Sequence, residues 1–179
     1  MNLSDFQPTY THAINQRLTF TRVGKFFAGR FFLDFDVFLP SKGLNLQRPL
    51  VWTLEQKRAF ILSLLKHQSI QEITVVQNEE KTEQYGGYHW EVIDGKQRLN
   101  TAFEFLNDKF TIVHGDTEYL FSELPEDCQK QIDRWNPLVT VHYSYPSDPI
   151  SDETKIQIFE QINFLGTSQD IEHLNSLKA

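Results

Sequence analysis

Hydrophobic and polar positions along the chain follow two periods, one typical of helices and one typical of strands. The clearest helix is predicted to begin after Thr53, where Gln56 completes a capping box and an apolar face follows at Leu54, Phe60, Ile61, Leu64 and Leu65. A second helix is predicted after the D-G-K-Q-R segment, with Leu99, Ala102, Phe103 and Leu106 at helical spacing. Pro125 and Ser151 are placed to open two more helices, ending near Trp135 and at Leu165 before Gly166.

Short apolar runs predict strands between these helices. They lie at 31–40, 71–77, 88–93 and 137–145, and a hairpin over 109–121 is expected to turn at His114–Asp116. The polar segments 41–45 and 79–87 are predicted to be loops. Because strands and helices mix without a regular βαβ repeat, the sequence predicts an α+β fold, or a loosely α/β sheet with helices packed against it.

Composition limits the class of protein. The 179 residues are 40% hydrophobic, enough for the core of a single domain, and the apolar runs are too short to span a membrane. No secretory signal opens the chain, and its single cysteine, Cys128, excludes an internal disulfide. We therefore expect a soluble, intracellular protein of one domain, with no membrane contact.

The net charge of −7 is unevenly distributed. Residues 1–58 carry a net +4 and the remainder −11. A basic first third favours contact with a polyanion there, although chance clustering explains the charge equally well. No sustained Lys/Arg stripe is present, which argues against sequence-independent DNA binding by this chain alone.

The D-G-K-Q-R segment is the strongest candidate for chemistry. A predicted strand ends at Asp94, Gly95 can adopt a positive φ and admit another molecule, and the helix start that follows favours an anion. Lys96 and Arg98 add positive charge at the same point, and Asp94 could hold a metal ion, a ribose hydroxyl or a water. An ordinary strand–helix turn with solvated charges remains the alternative.

Two further segments support a site. Arg48 precedes a proline, which keeps it on extended chain before the Thr53 helix. Asn163 lies near the end of the last predicted helix, from which an amide can reach into a cleft. A surface ion pair for Arg48 and an ordinary helix-terminal role for Asn163 are the alternatives.

Together these segments resemble the N-terminal domain of the GmrSD-type restriction proteins, the DGQQR domain, which is related to the ParB and sulfiredoxin fold. The shared residues are Gln47, Arg48, Val51, Trp52, Asp94, Gly95, Gln97, Arg98, Phe159, Asn163 and Gly166. Their order and spacing agree with the family pattern, whereas Lys96 replaces a common glutamine. The resemblance implies a ParB/sulfiredoxin-like mixed sheet over residues 31–170, preceded by a helical extension at 1–30 and followed by a polar tail at 171–179.

The resemblance also implies function. It assigns nucleoside triphosphate binding with Mg²⁺, and hydrolysis, to Asp94, Gln97 and Arg98, with Asp94 as the metal ligand and Gln97 orienting water. Arg48, Gly95, Lys96, Arg98 and Asn163 would contact the nucleotide. The setting would be phage biology, or restriction and anti-restriction of DNA, in the cytoplasm of a bacterium or a phage-infected cell. DNA or a nuclease or defence protein would be the partner, and the chain could form a homo-oligomer. The alternatives are a switch that binds nucleotide without hydrolysis and an interaction module with a degenerate pocket.

The spacing of the histidines and the position of Arg98 each lead to a further expectation. The six histidines have no metal-ligand or His-Asn-His spacing, so we expect a short stand-alone version of the family without nuclease activity. A cation at a helix N-terminus opposes the helix dipole, so we expect Arg98 to serve a ligand rather than the fold. The alternative is that Arg98 pairs with a buried carboxylate such as Asp94 and holds the turn.

Overall fold

The fold is a mixed sheet with helices packed on it, seen in a computed structural model that describes residues 12–17, 31–85, 88–133, 135, 137–143 and 149–165. Its strands are β1 (His12–Arg17), β2 (Phe31–Asp34), β3 (Phe38–Leu39), β4 (Leu44–Asn45), β5 (Ile73–Gln77), β6 (Tyr88–Asp94), β7 (Ile112–His114), β8 (Thr117–Tyr119) and β9 (Leu138–Tyr143). Its helices are α1 (Leu54–Leu65), α2 (Glu79–Tyr85), α3 (Lys96–Leu106), α4 (Glu126–Asp133) and α5 (Asp152–Leu165).

The main sheet has five strands in the order β1-β9-β5-β6-β2. β5 runs parallel to β9 and antiparallel to β6, whereas the two outer pairs are β1–β9, antiparallel, and β2–β6, parallel. Two small hairpins, β3–β4 and β7–β8, lie outside it. The predicted α+β fold, a mixed sheet with helices in one domain, is confirmed.

Both faces of the sheet are buried at its centre. On the first face, Ile73, Val75, Trp90, Val92, Val139 and Val141 form one core with α1, α3 and α4, including Ile61, Leu99, Phe105 and Ile132. On the second face, Val76 and Ile93 pack with Ile156, Ile158 and Phe159 of α5 and with Val37, Leu39 and Leu46. β5 and β6 therefore supply side chains to two cores, which explains why residues 73–76 of β5 are all buried.

The predicted helix starts are confirmed where capping defines them. Thr53 caps α1, with the Gln56 N–H donating to its hydroxyl and the Gln56 side chain accepting from the Thr53 N–H. At α5 the Thr154 N–H donates to the Ser151 hydroxyl. The hairpin over 112–119 turns at Gly115, which has a φ of +62°.

Three predictions of secondary structure are wrong. The expected loop 79–87 contains α2, which has no apolar stripe but begins where the Lys81 N–H donates to the Asn78 side chain. The loop at 41–45 includes β4, which pairs with β3. Residues 12–17 of the expected helical extension are β1, a strand that takes its hydrogen bonds from β9.

Other predictions fall on residues outside those described. They are the rest of the extension at 1–30, the tail at 171–179 and the Gly166 helix stop. Within the described ranges, every helix is too short or too polar to cross a bilayer.

Candidate functional site

The turn between β6 and α3 has the backbone geometry that the sequence predicts. β6 ends at Asp94, Gly95 has a φ of +102°, and α3 begins at Lys96 with no side chain capping its N-terminus. Gly95 does not, however, leave room for another molecule on its side-chain position. A Cβ added there would overlap the δ1 carbon of Ile73, so the glycine is required both by its φ and by close packing against β5.

Arg98 holds this turn to the rest of the sheet. Its Nη2 lies 2.6 Å from Asp94 Oδ2, and its Nη1 donates to the backbone oxygen of Gln71 at 2.6 Å. Only 9% of the residue is exposed. The expectation that Arg98 does not serve the fold is therefore wrong. Its guanidinium joins the helix start to Asp94 and to Gln71, so it holds the turn in the absence of a ligand.

Gln97 connects α3 to the segment that carries Arg48. Its Nε2 donates to Pro49 O at 2.9 Å, and its Oε1 accepts from the N–H groups of Val51 and Trp52 at 3.2 and 3.3 Å. Both ends of the amide are thus occupied by backbone. This corrects the interpretation of Gln97 as the residue that orients water, since its polar atoms position the segment before α1 instead.

Gln47 fixes the same segment from its other end. Its Nε2 donates to the backbone oxygens of Val92, at 2.8 Å, and of Ile93. The neighbouring Arg48 is half-buried, and its segment is anchored by Gln47 to β6 and by Gln97 to α3. Arg48 is therefore brought to the Asp94–Arg98 turn by two glutamine side chains.

These residues surround a cleft of about 180 Å³. Its lining is Gln47, Arg48, Trp52, Gln71, Asp94, Gly95, Lys96, Gln97, Arg98 and Phe159. Lys96 is largely buried and its Nζ lies 3.0 Å from Oδ1 of Asp36, which is 78% exposed. Three cationic side chains and one carboxylate line the cleft, a formal excess of two positive charges in a chain of net charge −7. This excess suits an anion.

Asn163 is not part of the cleft lining. Its Nδ2 donates to the backbone oxygen of Phe159 at 2.7 Å, and the residue is buried. The prediction that its amide reaches into a cleft is corrected: the amide bonds to the preceding turn of α5, and Phe159 from that turn lines the cleft.

The cleft has few side chains that could coordinate a metal ion without help from a ligand. Within the described ranges, no group of three His, Cys, Asp or Glu side chains is arranged to hold one. Asp94 is the one carboxylate in the lining, and its Oδ2 is engaged by Arg98. A single carboxylate with phosphate oxygens and water is a donor set that Mg²⁺ accepts, so Asp94 suits a metal that arrives on a phosphate ligand.

Sequence reasoning gave no role to four residues of the cleft. Gln47, Trp52 and Phe159 belong to the motif residues, but their place in the cleft follows from tertiary contacts. Gln71 contributes a backbone oxygen to Arg98, and no sequence pattern reports a backbone contact of this kind.

Comparison with known families identifies the family to which the chain belongs. The family model described as the GmrSD restriction endonuclease, N-terminal domain, matches residues 41–176. The match covers most of the chain, and the chain belongs to this family. No curated protein and no solved structure gave a match. The resemblance carried by the three sequence segments is thereby confirmed, and the chain is related to a module of a DNA-restriction enzyme.

Proposed function

We propose that this domain binds a nucleoside triphosphate through its phosphates in the cleft at the Asp94–Arg98 turn. The observation that carries the proposal is the pairing of an uncapped α3 N-terminus with Arg48, Lys96 and Arg98 in one cleft. Backbone N–H groups at a helix start and nearby cations are the elements that phosphate-binding sites combine. Family membership supports a role in DNA restriction or defence, with DNA or a nuclease as partner.

Binding is supported better than hydrolysis. Hydrolysis requires a positioned water in addition to charge stabilisation. The amide of Gln97 is engaged by Pro49, Val51 and Trp52, which removes the residue proposed for that task. Asp94 is left as the group that would hold Mg²⁺ on the phosphates. A nucleotide-dependent switch that acts on a partner, with turnover as a second activity, is the function that these contacts favour.

Thermal unfolding with ATP, GTP, CTP or UTP and Mg²⁺ tests binding. A ligand that binds only the native state at about 100 times its Kd stabilises it by about 2.7 kcal/mol, which raises the Tm. Lys96→Ala should abolish most of the rise. Lys130→Ala is the matched control, since Lys130 also pairs with one exposed carboxylate, Glu126, but lies on α4 outside the cleft lining. A Tm unchanged by all four nucleotides would overturn the proposal.

Turnover is measured by phosphate release. We expect the wild type to bind nucleotide whether or not it releases phosphate. Release that is lost in Asp94→Asn while binding persists would establish the hydrolase, and binding without release would establish the switch.

A further inference from the structure

A second pocket, of about 300 Å³, opens where β2, β6 and the start of α2 meet. Phe32 and Asp34 of β2, His89 and Glu91 of β6, and Asn78 and Lys81 at the start of α2 line it. None of these residues lines the cleft at the Asp94–Arg98 turn. The pocket and the cleft are therefore built from different side chains.

An aromatic platform forms one side of this pocket. The ring of Phe32 stacks on the imidazole of His89, with 4.6 Å between ring centroids and 14° between ring planes. Phe32 is nevertheless 52% exposed, which is high for a phenylalanine in contact with another ring. One face of the phenyl ring is covered by His89, so its exposed area offers a surface for another flat ring.

The buried carboxylate of the pocket, Glu91, is bonded at both of its oxygens. Asn78 Nδ2 donates to Glu91 Oε1 at 2.7 Å, and Lys155 Nζ of α5 lies 2.7 Å from Glu91 Oε2. Glu91 is 6% exposed and Lys155 is 9% exposed. These contacts fix the inner wall of the pocket and its shape.

The mouth carries a donor and an acceptor. Lys81 Nζ lies 2.7 Å from Asp34 Oδ2, and their side chains are 41% and 33% exposed. Asp34 Oδ1 also accepts the Asp36 N–H at 2.9 Å. An ammonium has three N–H groups and a carboxylate about four lone-pair sites, so both groups can bond a ligand in addition to these partners. Each of the two lining carboxylates, Asp34 and Glu91, is paired with one lysine, Lys81 or Lys155, so this pocket has no excess of positive charge of the kind found in the first cleft. A phosphate is therefore disfavoured here, and a neutral polar ring is favoured.

We propose that this second pocket binds a nucleobase, stacked on Phe32 and hydrogen-bonded through its polar edge to Asp34 and Lys81. The base belongs to a free nucleoside or to an unpaired position of a single-stranded nucleic acid. The proposal stands independently of triphosphate binding at the first cleft, because it rests on different residues and excludes the phosphate.

Equilibrium dialysis with adenosine, guanosine, cytidine and uridine tests the proposal, since these probes carry a base but no phosphate. We expect at least one to bind the wild type, and Phe32→Ala to weaken it by about ten-fold, as loss of a base–aromatic stack does. Phe38→Ala is the matched control, because Phe38 is 53% exposed and lies outside the pocket lining. Phe32→Tyr retains a stacking ring and should retain binding.

A short single-stranded oligonucleotide distinguishes the source of the base. Binding that is tighter than for nucleosides and equally sensitive to Phe32→Ala identifies a strand, whereas nucleoside binding alone identifies a small molecule. The proposal is overturned if the wild type binds neither, or if Phe32→Ala and Phe38→Ala weaken binding equally. Lys96→Ala should leave nucleoside binding intact, so failure at one site is distinguishable from failure at the other.

Discussion

Arg98 has a structural role that its position on the helix does not reveal. Its guanidinium joins Asp94 and the backbone oxygen of Gln71. Truncation to alanine leaves a largely buried carboxylate and a carbonyl without these bonds. Removing one partner of a fully buried ion pair costs more stability than this, but Asp94 retains partial solvent contact. We therefore expect Arg98→Ala to lower the free energy of unfolding by about 2–3 kcal/mol. Urea denaturation without nucleotide measures this.

A double-mutant cycle separates the ion pair from the contact with Gln71. Asp94→Ala and the Arg98→Ala/Asp94→Ala double variant complete the cycle. The double variant should be less destabilised than the sum of the single variants. If Arg98→Ala left the stability unchanged, the residue would belong to the ligand alone, as its helix position first suggested.

Gly95 makes a second prediction at the residue scale. Gly95→Ala forces a side chain into a φ of +102° and against Ile73, and we expect a loss of about 3 kcal/mol. Gly43→Ala is the control, since Gly43 has a φ of +67° but no atom within 4 Å of an added Cβ. It should cost about 1 kcal/mol. Equal losses in the two variants would show that packing against Ile73 contributes nothing.

Among the elements, the connection between α3 and the segment before α1 depends on one amide. Gln97→Ala removes the acceptor of the Val51 and Trp52 N–H groups. We expect the variant to lose about 1.4 kcal/mol of local stability, which corresponds to about ten-fold faster amide exchange at Val51 and Trp52. Hydrogen exchange measures it, with the Gln56 N–H, which donates to Thr53, as an internal control that should not change. Unchanged exchange at Val51 and Trp52 would contradict the proposed role of Gln97.

Elements with a local signal were predictable, and those without one were not. α1 and α3 follow from an apolar face, and the positive φ of Gly95 follows from the strand–glycine–helix order. α2 lacks an apolar face because its residues 79–84 do not enter either core. β1 is defined by β9, and a pairing so distant along the chain leaves no mark on six residues.

The candidate site shows the same division. Its turn, its cations and Asp94 were predicted from spacing and the family pattern. The partners of Gln97 and Asn163, and the contact of Arg98 with Gln71, were not, because each is a backbone group whose position only the fold determines. The pair of Arg98 with Asp94 was one of two alternatives that the sequence left open. A motif residue that could bind a ligand can equally bind the backbone, and sequence alone does not distinguish the two.

For the molecule as a whole, the sheet contains a titratable group that affects stability. His142 of β9 is 5% exposed, and burial lowers its pKa. The unfolded chain binds a proton at this residue near pH 6.5, whereas the folded chain binds it only at lower pH. The free energy of unfolding therefore falls as the pH decreases through and below about 6.5.

Melting curves at about pH 7.5 and pH 5.5 measure this dependence. The Tm of the wild type should fall more between these values than that of His142→Gln, in which the other histidines and the carboxylates are unchanged. An equal fall in both proteins would show that burial of His142 does not contribute.

The order of strands in the main sheet has a consequence for synthesis. Among the strands in the described part of the chain, β1 is synthesised before the others, but its partner β9 spans Leu138–Tyr143, and β5 also pairs with β9. A nascent chain that ends before Leu138 therefore has β1 and one edge of β5 without their partners. Unpaired strand edges promote association between chains. The interval before β9 emerges is consequently one in which the edges of β1 and β5 are open to pairing with another chain.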